Sequence, residues 1–147
     1  MLGYEKIEEL VVGRFIKEFD GLLTEELCSR GDLDELFENL QKLGKSEGVL
    51  LEFGGGRKLR AAPFNGKAWE WTTDGFYLIK FDGDSSAIEQ RARQVADKLC
   101  TVLDASKTLG GSVAKIEVVT IEKPEPAKIN EVPFYWIPMS IATLERI

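Results

Sequence analysis

Apolar residues recur along this chain with two periods, and the change from one to the other separates helices from strands. Ile7, Leu10, Val11, Phe15 and Phe19 line one side of a helix over residues 4–19, with Glu5, Glu8, Glu9, Lys17 and Glu18 mostly off that stripe. Asp20-Gly21 breaks it. Residues 22–30 read as a short helical turn or an extension of the helix pair. A second helix opens at Asp32, an N-cap residue with Glu35 three positions on to complete a capping box. Leu33, Leu36, Phe37, Leu40 and Leu43 make its apolar face, and Gly44 stands where a C-cap glycine belongs. The longest helix carries Ile88, Ala92, Val95, Leu99 and Val102 at steps of four, three, four and three. Ser86 with Glu89 is its expected cap, and Leu109-Gly110-Gly111 its expected end.

Elsewhere the pattern is that of strands. Residues 49–53 form a short apolar run, Gly54-Gly55-Gly56 reads as a turn, and residues 57–62 return as a hairpin partner. Pro63-Phe64-Asn65-Gly66 is a second turn. Residues 69–81 suggest a strand pair broken at Thr73-Asp74-Gly75, closed by Asp82-Gly83-Asp84. Residues 113–122 alternate, with Ile116, Val118 and Thr120 on one face and Val119 and Ile121 on the other. Pro124 and Pro126 stop that strand and mark a crossover into a closing strand over residues 134–147. There Tyr135, Ile137, Met139, Ile141 and Thr143 share a face, and Pro138 implies an edge position or a bulge. The expectation is one α+β domain over residues 1–147: a mostly antiparallel sheet with two to three helices packed on one face.

Composition narrows what such a domain does. With 25 acidic and 19 basic residues the formal charge is −6, which disfavours a free-standing nucleic-acid binder. No apolar run is long enough to cross a bilayer, and the first residues lack the basic and apolar regions of a signal peptide, so the chain reads as soluble and cytoplasmic. Cys28 and Cys100, the only cysteines, both fall in helix-like segments and read as buried thiols.

Histidine is absent altogether, which excludes Ser-His-Asp and Cys-His nucleophilic catalysis and any zinc site that needs histidine. The acidic clusters Glu25-Glu26, Asp32-Asp34-Glu35 and Asp82-Asp84 sit at helix starts and turns, where carboxylates answer the helix dipole. Neither a catalytic residue nor a cofactor or metal site is assigned, and the chain reads as a non-enzyme. Gly54-Gly55-Gly56-Arg57-Lys58 lacks the Gly-Lys-Ser/Thr end of a phosphate-binding loop, but Arg57, Lys58 and Arg60 suit an acidic partner surface. Trp69, Trp71 and Trp136 suit half-buried strand positions or an interface. In Pro133-Phe134-Tyr135-Trp136 neighbouring rings point oppositely, so at least one needs cover on the second face.

The order of elements resembles the tail terminator and minor tail proteins of long-tailed bacteriophages. The resemblance is carried by the helix Arg91-Ala92-Arg93-Gln94-Val95-Ala96-Asp97-Lys98-Leu99, the Gly110-Gly111 break, the strand after it, and the proline-marked passage into Pro133-Phe134-Tyr135-Trp136-Ile137-Pro138. The helical stretch over residues 22–44 is longer than that pattern and marks a Mu-like prophage variant. The resemblance implies a virion assembly protein, made in the host cytoplasm and ending in the virion tail, that caps the tail tube as a six-membered ring. Its partners would be other copies of itself, the tube protein and a head-completion or connector protein, with DNA passing through the lumen unbound. Ring closure needs two different complementary patches per subunit. The expected patches are the edge of the closing strand, entered through Phe134, Tyr135 and Trp136, and the hairpin tip with Arg57, Lys58 and Arg60. The alternative is an inhibitor- or immunity-like module that recognises a protein or small ligand.

Overall fold

The computed structural model describes residues 2–61, 66–81, 83–105 and 114–146. Helix α1 (Tyr4–Glu18) leads through a 3-10 turn (Glu25–Leu27) to strand β1 (Cys28–Arg30) and helix α2 (Leu33–Leu43). The long strands β2 (Glu47–Ala61) and β3 (Gly66–Lys80) follow, then helix α3 (Ser85–Ala105) and strands β4 (Ala114–Ile121), β5 (Glu125–Ile129) and β6 (Val132–Arg146). The fold is α+β. Its six-stranded sheet has the order β1-β2-β3-β6-β4, with β5 also paired to β6. Only β1 and β2 are parallel, joined through α2 as a crossover; the other pairs are antiparallel.

Helices α1 and α3 cover one face of the sheet, as the apolar stripes require. Ile7, Val11, Phe15 and Phe19 are buried on the first, and Ile88, Ala92, Val95, Leu99 and Leu103 on the second. The Phe19 ring lies 5.3 Å from Tyr77 on β3, and Lys98 of α3 sits over Phe19. A bidentate ion pair from Arg91 to Glu47, at 2.8 and 2.9 Å, ties α3 to the start of β2, and the Tyr77 hydroxyl donates to the same carboxylate. Helix α2 packs on the opposite face. A Cβ at Gly48 would lie 2.9 Å from Leu36 Cδ1, and Phe37 meets Phe134 edge-on at 6.1 Å. Glu47 and Gly48 are neighbours on one strand, so they mark the two faces.

Local capping follows the sequence at α2, where Asp32 accepts from the Glu35 N–H and Gly44 turns left-handed (φ 62°). On α3 the cap is Asp84, which accepts from Ser86 and Ala87, rather than Ser86 itself. The expected helical turn over residues 22–30 is shortened by β1, so Cys28 lies on a strand; Cys100, on α3, is exposed rather than buried. The turn expected over residues 63–66, the helix end at 109–111 and the side chain of Val102 fall outside the described residues, apart from Gly66, which opens β3.

Three strand expectations are corrected. Gly54-Gly55-Gly56 is no turn: β2 runs through it, with a bulge between Phe53 and Gly55 where Gly55 takes φ 110°. Thr73-Asp74-Gly75 does not break β3, because Phe53, Glu52 and Leu51 pair with it across the ladder. In β4 a register shift between Ile116 and Val118 reverses the alternation, so Ile116, Val119 and Ile121 share a face, opposite Thr143, Ile141 and Met139.

The largest correction concerns β6, which is interior. It pairs with β3 along one side, and with β4 and then β5 along the other. The expected crossover is β5, which turns at Asn130 and Glu131 (φ 50° and 65°) into a hairpin. Pro138 is tolerated in an interior strand because its carbonyl, accepting from Glu122 N–H, faces the gap between β4 and β5. A residue's N–H and C=O leave a strand on the same side, so the missing donor falls opposite Glu122, just past the end of β4, and not within either ladder.

Candidate assembly surface

The six residues singled out from the sequence are divided between the two ends of the sheet. Arg57 and Lys58 lie opposite Glu70 and Trp69, and Arg60 opposite Lys67. Phe134, Tyr135 and Trp136 lie opposite Lys80, Ile79 and Leu78. Glu70 and Leu78 are eight residues apart on β3, roughly 27 Å at ~3.4 Å per residue.

Neither group is a single patch. Arg57 and Lys58 are neighbours on a strand and point to opposite faces. Arg57 Nε donates to Glu70 Oε1 at 3.0 Å, a solvent-exposed pair worth about 0–1 kcal/mol. Lys58 is exposed on the α1 face beside Trp69, and the Arg60 side chain lies outside the described residues. At the other end Phe134 is buried under α2 against Phe37, so it is a core residue and not a surface one. Trp136, on the same face, stacks on Phe76 at 5.0 Å and is half-buried; Tyr135 is half-buried on the opposite face.

Free edges lie elsewhere. Strand β1 pairs only with Val49, Leu50 and Leu51, so among the described residues no strand lies against the outer side of residues 52–61. At the far side of the sheet the terminal position is held by β4 and β5, and the outer side of residues 116–121 meets no further strand among those described.

Each edge carries a distinct apolar feature on the helix-covered face. Val49, Leu51 and Phe53 share that face, and Phe53 lies past the helix cover, with 59% of its surface exposed. Tyr4 stands 4.4 Å from Phe53 and 5.9 Å from Trp71, and Trp69 stacks on Trp71 at 5.3 Å. The Trp71 ring lies so close to Gly56 that a Cβ there would sit 2.4 Å from its Cε3. The Tyr4 hydroxyl donates to Glu8 at 2.8 Å, and burial, reinforced by Glu8, pushes its pKa well above the usual phenol range, so Tyr4 stays neutral. Beside β4, a cleft of about 540 Å³ opens between that strand and α3, lined by Cys100, Leu103, Ile116, Val119 and Ile121 with Lys115 and Glu117 at its rim.

Among the described residues no group of three or more Cys, Asp or Glu side chains is placed to hold a metal ion, and no helix is long and apolar enough to cross a membrane. The Cys28 thiol, buried in β1, is pushed up to about 12 by burial and is inert at neutral pH. Sequence reasoning missed Phe53 and the β4 cleft. The signal for Phe53 was its parity with Val49 and Leu51; the cleft had none, since the β4 bulge that forms it depends on pairing with β6. No protein-family model matches the chain, and no curated protein matches it.

Proposed function

We propose that this chain is a non-enzymatic phage or prophage virion assembly protein that closes into a ring, six-membered by the resemblance, on the end of a tail tube and readies it for head joining. The observation that supports it is the pair of strand edges, on opposite sides of one sheet, that meet no further strand among the described residues: β2 beyond residue 51 and β4 over residues 116–121. Head-to-tail closure requires two different, mutually complementary surfaces per subunit, and edges on opposite sides of a sheet meet that requirement. The excess of acidic residues suits a lumen that passes DNA without retaining it.

The test is assembly itself. Purified protein, alone across a wide concentration range and mixed with assembled tail tubes, should form rings or end-caps visible by electron microscopy. A chain that stays monomeric in both settings and instead binds a small ligand or a single protein partner would replace this reading with that of a recognition module.

A further inference from the structure

We infer that copies of this chain join edge to edge: residues 52–61 of one copy pair antiparallel with the outer side of residues 116–121 of β4 in the next, and Phe53 seats in the cleft between α3 and β4. The inference rests on the assembly reading above and names its contact.

Direction and facing follow from the ladder. Strand β2 runs opposite to β3, β3 opposite to β6, and β6 opposite to β4. Strands β2 and β4 therefore run oppositely within one copy. Copies related by the modest rotation of a closed ring keep strand direction and face in common, so the β2 edge of one meets the β4 edge of the next as an antiparallel pair with the same face aligned. On β2 that face carries Phe53, paired with Thr73. On β4 it carries Ile116, Val119 and Ile121, which line the cleft under α3. Continuing the sheet thus brings the most exposed large apolar side chain among the described residues to an apolar slot on the same side. The slot's 540 Å³ lies within the ~300–1,000 Å³ of ligand-sized cavities, which leaves room for a phenyl ring.

Both halves of the contact belong to one chain, which is why the occupant is a second copy rather than another protein. The joint is also weak by itself. Lys58 and the bulge at Phe53 and Gly55 are features that blunt a strand edge. Two copies gain little alone, and a closed ring gains from every joint at once.

The neighbour's own Cys100, exposed in the cleft, provides the test. Phe53→Cys should give, under mild oxidation with diamide at high protein concentration, a ladder of covalent multimers whose linked peptides join position 53 to Cys100. Combining it with Cys100→Ser should abolish the ladder. Links between two copies of position 53, or a ladder that survives Cys100→Ser, overturn the pairing. Phe53→Asp should leave the fold intact, because the side chain is 59% exposed, and weaken association at least tenfold in sedimentation. Rings that form equally well with Phe53→Asp and give no link to Cys100 defeat this contact and leave the assembly reading standing. Absence of association by the unmodified chain, in solution and on tail tubes, defeats both.

Discussion

Glu145 Oε1, on the buried side of β6, accepts the backbone N–H of Leu2 at 3.0 Å, and that of Gly3 at 3.3 Å. The carboxylate is fully buried and stands at the start of α1, where the helix dipole favours negative charge. Gly3, the N-cap, makes no side-chain cap of its own, so β6 supplies from across the molecule the acceptor that the local sequence lacks. Glu145→Ala should therefore destabilise the fold by about 1–3 kcal/mol, the cost of leaving buried donors unpaired. Glu145→Gln keeps an acceptor and removes a buried charge whose Oε2 has no hydrogen-bond partner among the described residues, so it should cost less. Urea unfolding of the two variants side by side checks the order.

The Arg91–Glu47 pair makes a second prediction. Arg91→Met leaves the Glu47 carboxylate, 12% exposed, with the Tyr77 hydroxyl as its one side-chain donor among the described residues. The expected loss is about 2 kcal/mol, in the range for hydrogen bonds to charged groups. Arg93→Met, which removes an exposed pair with Glu89, should change stability by less than about 0.5 kcal/mol. Equal thermal shifts for the two variants would contradict the assignment of Arg91 as the tie between α3 and β2.

Alkaline pH should weaken the fold in two stages. Burial pushes the Cys28 thiol up to about 12, and burial with Glu47 alongside raises the Tyr77 phenol well above its usual value. Unfolded cysteine and tyrosine release their protons near pH ~8.5 and ~10. Both folded values lie above the unfolded ones, so the stabilisation is complete below the unfolded values and is lost as pH rises toward the folded ones. The urea midpoint should fall from about pH 9 upward, and Tyr77→Phe should reduce the part of the decline that begins near pH 10, the remainder belonging to Tyr4, whose phenol burial raises in the same direction.

Two glycines should respond oppositely to alanine. Gly56→Ala puts a methyl group 2.4 Å from the Trp71 ring, which must move off the strand; a loss of about 1–3 kcal/mol and an altered tryptophan emission are expected. Gly13 lies exposed inside α1 with nothing within 4 Å of an added Cβ. Gly13→Ala should stabilise by about 0.5–1 kcal/mol, measured in the same denaturation series.

Sequence periodicity read well wherever a segment's structure depends on its own neighbours. The stripes of α1, α2 and α3, the Asp32 cap and the Gly44 stop all follow from interactions within a few residues. It read poorly at Gly54-Gly55-Gly56 and Thr73-Asp74-Gly75, because such residues permit a turn without requiring one. What decides between turn and strand is a ladder partner, and the two segments straighten each other: Phe53 meets Thr73, and Gly56 meets Trp71. The candidate interface suffered for the same reason. Phe134 is covered by Phe37, about a hundred residues earlier, a contact with no local signature.

Taken alone, the sequence determined the helices, the α+β class, the absence of histidine-based chemistry and the apolar strands available for pairing. Tertiary structure decided that β6 lies inside the sheet, that α2 packs on the face opposite α1 and α3, and that residues 52–61 of β2 and 116–121 of β4 hold the open edges among the described residues. The division has a physical cause. Helical hydrogen bonds close within four residues and leave their mark in local spacing, whereas a strand becomes edge or interior only through segments that arrive from elsewhere in the chain.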